Sequence, residues 1–302
     1  MANRCHALIC LGILSNCMNK TIKNYINDYL RYCQTEKGLS QNTSKTYSRL
    51  LDDLPFEYKT PEQITNEDIM DYRAYLDNQN FSKSTQSYYL IVLRGFLKFL
   101  SEKDIKSLSP EKIKLPKLSD REIKIITTDE FRSLITQVKP NTTRRIRNRA
   151  IIEIFSSTGL RLSELVSLNK KDFENAGEDL ELSIKGKGGK VRFVYFPSQC
   201  MEWIKKYLNK RKDNNPALFV TTNGRMTNRS IQAMVTHYSK KAGIEVTAHS
   251  LRHLFAITLL RSGANLRITQ LLLGHANSKT TEIYTNYTNQ ELKEAVKKSW
   301  IT

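Results

Sequence analysis

Apolar side chains recur every three or four residues along most of this chain, and every second residue at one place only. The first period marks helices with one buried face, and the second marks strands. Tyr25, Ile26, Tyr29, Leu30 and Cys33 form the first helical stripe, which Gly38 terminates. Ser40 caps the next helix, whose apolar face is Tyr47, Leu50, Leu51 and Leu54, and Pro55 ends it. Thr65 caps a third, with Asp68 three residues on, and Ile69, Tyr72, Tyr75 and Leu76 face inward. Ser82 or Ser84 opens a fourth, with the long stripe Tyr89, Leu90, Leu93, Phe96, Leu97 and Leu100. Its polar face carries Lys83, Ser84, Thr85, Gln86, Ser87 and Arg94, which suit either an ordinary solvated surface or contacts in a nucleic-acid groove.

The period breaks between Pro110 and Pro116, a basic, proline-bounded stretch that reads as an extended linker. The organisation expected is a leader over residues 1–18, a helical domain over 19–112, a linker over 113–123 and a second domain over 124–302. Thr127, with Glu130 three residues later, caps the first helix of that second domain. Residues 149–155 are strongly apolar up to a stop at Thr158-Gly159, and residues 162–168 form another helix. Leu180, Leu182 and Ile184 then alternate, as do Val191, Phe193 and Tyr195, around the basic, glycine-rich turn at 185–190. Further helices are expected over 201–208, 229–241, 251–262, 268–273, 280–287 and 291–300. The fold class is mainly α: an N-terminal helical bundle, then an α-rich domain with one small antiparallel hairpin.

Charge narrows the choice of partner. Among 302 residues, 48 Lys and Arg oppose 30 Asp and Glu, a net +18. Such an excess favours a polyanion, because basic side chains release condensed counterions when they neutralise phosphates. No apolar run is long enough to cross a bilayer, so a membrane is the weaker rival. Cys33 and Cys200 have no nearby Cys or His at zinc spacing, which fits a reduced cytoplasmic interior. Cys5, Cys10 and Cys17 lie in a leader that resembles a minimal signal peptide. Its apolar run is short, and a packing segment or a true start at Met18 fits better.

Candidate chemistry gathers in the second half. Arg161 follows a glycine turn at a helix start, where backbone amides already favour an anion and a guanidinium can fork onto a phosphate. The plain alternative is a surface pair with Glu164. Lys187 sits in the hairpin turn beside Lys185 and Lys190, and periodicity does not choose among the three. The turn lacks the order and helix context of a nucleotide-binding loop. His249 and Arg252, three apart, share a helix face. His253, four from His249, raises the question of zinc, but Ser250 stands where a zinc protease needs Glu; His253 reads as a packing or hydrogen-bonding residue. His275 follows the helix stop Gly274, and Tyr284 and Tyr287 offer two phenols near one face.

Arg161, Lys187, the His249-x-x-Arg252 pair, Leu272-Leu273-Gly274-His275 and Tyr284 together resemble the tyrosine recombinase (phage integrase) family, in its short two-domain Xer-like form. The resemblance runs from about Met18 to the end. In that family the nucleophile lies nine residues past the second histidine, which selects Tyr284, and the lysine lies in a Gly-Lys-Gly turn, which selects Lys187. It implies a SAM-like core-binding bundle and a catalytic domain that close around double-stranded DNA. It implies Arg161 and Arg252 as phosphate clamps, Lys187 as general acid, and His249 and His275 as proton-transfer and phosphate-binding groups. It also implies cleavage through a 3′-phosphotyrosine with no metal or cofactor, and assembly as a dimer on a site and a tetramer in synapsis. The final helix, with Leu292, Ala295, Val296 and Trp300, suits docking into a neighbour or packing on its own domain. The rival functions are a DNA-binding regulator with an inactive site and a type IB topoisomerase-like relaxing enzyme.

Overall fold

A computed structural model describes residues 20–116, 125–174, 176–186, 191–274 and 289–299. The chain divides into two compact units, Met1–Arg121 and Glu122–Thr302.

The first unit contains α1 (Ile22–Thr35), α2 (Gln41–Asp52), α3 (Asn66–Asn78) and α4 (Lys83–Glu102). The start signals act locally, as the sequence suggested. Ser40 accepts from the Thr43 amide at 3.2 Å, and Ser82 accepts from Thr85 at 3.3 Å. Thr65 and Asp68 cap α3 reciprocally, at 3.3 and 2.9 Å. The core is Ile26, Tyr29, Cys33, Leu50, Leu51, Tyr72, Leu76, Leu93, Phe96, Leu97 and their neighbours, with Tyr29 set edge-on to Phe96.

Three expectations for this unit need correction. Tyr75 is 38% exposed, because Tyr72 and Leu76 already fill the inward face of α3. Gln86 and Ser87 are buried and do not line a polar groove-facing surface. Gln86 instead ties α4 to the preceding turn, donating to Asp77 at 3.0 Å and to the Phe81 carbonyl at 2.9 Å. The stretch after Pro110 is not extended throughout. Pro110–Lys112 is a 3₁₀ turn, and Ile113 is buried in the first unit's core.

The second unit begins with α5 (Thr128–Gln137), capped by Thr127 and Glu130, and the central α6 (Thr143–Thr158). Every residue of α6 from Ile146 to Thr158 except Arg149 is buried. The helix starts six residues before its apolar run because Thr142 caps it there, accepting from the Arg145 amide. Then follow α7 (Leu162–Ser167), β1 (Leu180–Lys185), β2 (Val191–Phe196), α8 (Ser198–Lys210), β3 (Val220–Thr221), β4 (Gly224–Arg225), α9 (Asn228–Lys241), α10 (Ala248–Arg261), α11 (Leu266–Leu273) and α12 (Asn289–Lys298). The tiny β3–β4 hairpin was not foreseen; two-residue strands carry no readable alternation.

Strands β1 and β2 pair antiparallel, with Leu180 opposite Phe196, Leu182 opposite Val194 and Ile184 opposite Arg192. Cross-strand partners share a face. The inward face of β2 is therefore Arg192, Val194 and Phe196, whereas Val191 and Phe193 are 55% and 37% exposed. The alternation of β2 was real, but its first two apolar residues point outward. Tyr195 is buried on that second face because a smaller cluster of Phe255, Leu259, Leu271, Leu272, Leu273, Leu292 and Val296 covers it. Helix α12 thus packs on its own unit, where Lys293 and Lys297 also pair with Asp179 at 3.2 and 2.7 Å. The expected helix over 280–287, Trp300 and the leader lie outside the described residues. No helix among the described residues is long and apolar enough to cross a membrane.

Candidate active site

Helix α6 ends at Gly159, which adopts φ +60°. Only glycine fits there: a Cβ would fall 2.5 Å from Phe255 Cδ1. This left-handed stop buries Leu160 and delivers Arg161 as the N-cap of α7. Glu164, one turn on, accepts the Arg161 backbone N–H on Oε2 at 2.8 Å and Arg161 Nη1 on Oε1 at 2.9 Å. The pair foreseen as a possible surface contact is half inside: Glu164 is 5% exposed, whereas the Arg161 side chain is 33% exposed.

Arg252 reaches the same point from α10. Its two Nη groups donate to the carbonyls of Gly159 and Leu273. Arg161 Nη2 donates to the next carbonyl, that of Gly274, at 2.5 Å. The C-terminus of α11 therefore holds both guanidiniums on successive carbonyls, an orientation its dipole favours. Arg252 is buried, and burial together with the neighbouring Arg161 and Arg192 pushes its pKa down to about 10. It stays charged at neutral pH.

Arg192 is the member of this cluster that sequence reading missed. It projects inward from β2, is 4% exposed, and donates to Glu164 Oε2 at 2.9 Å. The signal was present: an arginine at every-second-residue register with Val194 and Phe196, in a strand otherwise apolar. Two guanidiniums now contact one carboxylate, and a third, that of Arg252, lies near enough to feel its charge. Sequestering charge from water costs several kcal/mol per ion unless it is compensated, so a surplus of positive charge favours an anionic ligand.

His249 sits one turn before Arg252 on α10 and is exposed. Its Nε2 lies 3.0 Å from His253 Nε2, with the rings nearly perpendicular. Burial, His249 and Arg252 together lower the pKa of His253, which favours a neutral ring. Ser250 is engaged in capping α10 with Thr247. Among the described residues no group of three or more His, Cys, Asp or Glu could hold a metal ion. Lys187, His275 and Tyr284 lie outside the described residues, as does Tyr287. Of the six candidates, the structure brings Arg161 and Arg252 together and puts His249 on the helix that carries Arg252.

A basic concavity of about 880 Å³ lies toward the start of α6, lined by Arg144, Arg147, Lys210, Arg211 and Lys212 among others. Its buried Arg147 is held by the Asn148 side chain and the Val220 carbonyl, away from the Arg161 cluster.

Comparison with known proteins identifies the family of the chain. Residues 124–291 match the phage integrase family, and residues 26–104 match the phage integrase N-terminal SAM-like domain. The chain belongs to the phage integrase family. Similar family members include the tyrosine recombinase XerD of Oceanobacillus iheyensis, 35% identical over 89% of this chain and 95% of that protein. The tyrosine recombinase XerA of Pyrococcus furiosus is 33% identical over 93% of this chain and 96% of its own length. This integrase-family chain is thus an enzyme, a site-specific tyrosine recombinase that cleaves and rejoins DNA. Among solved structures, the fold is like that of the XerH site-specific recombinase bound to its difH substrate after cleavage (TM-score 0.67, 23% identity, 92% of this chain and 96% of that one). It is also like the Tn1549 transposon integrase in complex with circular intermediate DNA (TM-score 0.69, 20% identity, 91% and 98%). At that identity these two speak for the architecture only.

Proposed function

We propose that Tyr284 is the nucleophile of this recombinase and that Arg161, Arg252, Lys187, His249 and His275 serve it. The phenolic oxygen of Tyr284 attacks a backbone phosphorus, forming a 3′-phosphotyrosine as the bond to the 5′-oxygen breaks. The phenol gives up its proton, with an ordinary pKa of about 10, so nearby cations and His249 assist its departure. Lys187 supplies a proton to the leaving 5′-oxygen. Arg161 and Arg252, with His275, stabilise the charge that spreads over the non-bridging oxygens. Attack by a second strand's 5′-hydroxyl reverses each step, so the ester carries the bond energy forward. The convergence of Arg161 and Arg252 on Gly159 and the α11 terminus, with positive charge in excess of Glu164, is the observation that carries this reading.

In this reading residues 19–112 are the core-binding domain, 113–123 the linker and 124–302 the catalytic domain, with 1–18 a leader. The partner is double-stranded DNA, in the cytoplasm. Two protomers occupy a site and four form the synapse. The DNA-bound complexes of similar fold support the DNA partner. The role is chromosome-dimer resolution of the Xer kind or the movement of a mobile element; similarity extends to Xer recombinases and to a transposon integrase alike.

The test is a duplex nicked next to the cleavage point, on which the reaction stops at the covalent stage. Wild type forms a protein–DNA adduct and Tyr284→Phe forms none. An equal adduct from Tyr284→Phe, lost in Tyr287→Phe, overturns the assignment. Supercoil relaxation by a monomer without a defined site favours a topoisomerase, and binding with no adduct favours a regulator.

A further inference from the structure

We propose that Arg192 is a positioning residue for strand cleavage: it sets the Arg161 guanidinium through Glu164. The proposal rests on the reading of Arg161 as a phosphate clamp.

At 4% exposure, Arg192 gains nothing from water, and a desolvated charge persists only where its surroundings compensate it. Its compensation includes the carboxylate that orders Arg161. Glu164 Oε2 accepts both Arg192 Nη2 at 2.9 Å and the Arg161 backbone amide at 2.8 Å, and Oε1 accepts Arg161 Nη1 at 2.9 Å. Glu164 is thus clamped from two sides, by β2 and by its own helix start. Removal of the β2 side frees the carboxylate to follow Arg161, which then loses its fixed reference.

The second anchor of Arg161 also depends on Arg192. Arg161 Nη2 donates to the Gly274 carbonyl at 2.5 Å. The stem of Arg192 lies directly on Gly274: a Cβ there would come 2.6 Å from Arg192 Cδ and 2.7 Å from Nε. Gly274 is left-handed, φ +63°, and closes α11. Arg192 therefore touches the two groups that hold the Arg161 side chain, and it lies 3.4 Å from the Gly159 carbonyl that Arg252 shares. Lysine at this position would keep the charge, but its single ammonium cannot reproduce the planar fork or fill the same space against Gly274. Misplacing a catalytic group by about 1 Å costs up to roughly 10²-fold in rate.

The experiment measures two quantities on the full chain: the single-turnover rate of adduct formation on the nicked duplex at saturating DNA, and the Kd for uncleaved DNA. Arg192→Lys slows adduct formation about 10- to 100-fold, with Kd changed less than about twofold. A residue that only holds the fold would lower folded fraction and affinity together. Glu164→Gln has a similar selective effect. The double variant Arg192→Lys/Glu164→Gln is no slower than the slower single variant, because both act on one target. Arg192→Gln, which removes the charge but keeps a polar end, supplies the same two readouts if Arg192→Lys folds poorly. A wild-type cleavage rate in Arg192→Lys, a double variant whose loss is the product of the two single losses, or a Kd increase that accounts for the slower rate would each overturn the role. If wild type itself forms no adduct, the clamp reading fails; if wild type reacts and the variants match it, only the role of Arg192 fails.

Discussion

The two units solve different problems with the same element, the amphipathic helix. In the first unit the buried polar side chains among the described residues are Ser44, Gln86 and Ser87, none of them charged. Its core is aliphatic and aromatic, and its ion pairs lie toward the surface, as Lys23 with Glu57 and Lys83 with Asp77 do. In the second unit Arg147, Glu153, Glu164, Arg192 and Arg252 are all buried. Burial even pushes the Glu153 carboxyl above its usual range against the pull of Arg149. Interior charge is expensive, and among the described residues it is concentrated in the unit that carries the proposed clamp. The net +18 of the whole chain suits a polyanion, but among the described residues only the second unit buries cations, at the point where we propose that a phosphate is held.

If that contrast is right, substitutions in the two units separate by what they damage. Arg252→Ala should cut the rate of adduct formation at saturating DNA by roughly 10²–10³-fold, about the loss seen when an oxyanion-stabilising donor is removed, in single-turnover assays. An equal loss from a first-unit core substitution under the same conditions would erase the distinction. Leu93→Ala, at a position with no exposure in the first core, should lower unfolding free energy by about 3 kcal/mol while leaving that rate intact in the folded fraction, as denaturant titration with parallel cleavage assays would show. Ser40→Ala removes one helix cap and should cost about 1 kcal/mol in the same titration.

The smallest effect concerns Asp213, whose hydrogen bond from Arg211 lowers its pKa to about 2. Because this is below the unfolded value of about 3.9, the pair's contribution is present above pH ~4 and fades as pH falls toward ~2. The carboxylate is 43% exposed, so solvent screening holds the effect to under about 1 kcal/mol. Asp213→Asn should therefore flatten the acid limb of the stability curve only slightly. A large change would mean that this second-unit ion pair is energetically coupled to the interior charges.

Much of this architecture was legible in the chain. Ser40, Thr65, Ser82 and Thr127 each mark a helix start, because a cap closes a hydrogen bond with a residue three positions away and requires nothing distant. Gly159 and Gly274 were readable as stops because a glycine's freedom to adopt positive φ is likewise a local property. Arg161 and Arg252 were picked out as a pair by the family resemblance of their segments, whereas the backbone carbonyls that hold them were not readable. The polar face assigned to α4 failed at Gln86, since a glutamine that bonds a preceding turn and one that meets solvent look identical in sequence.

The sequence by itself determined the helical content, the starts and stops of most elements, the larger of the two hairpins and the set of chemical groups available, because each depends on interactions a few residues long. Tertiary structure decided which face of β2 is interior, that Glu164 is buried between Arg161 and Arg192, and that α12 lies over Tyr195 in its own unit. Those outcomes depend on side chains brought together from α7, β2, α10 and α11. A strand's alternation says that it has two faces; only the elements packed against it determine which one excludes water.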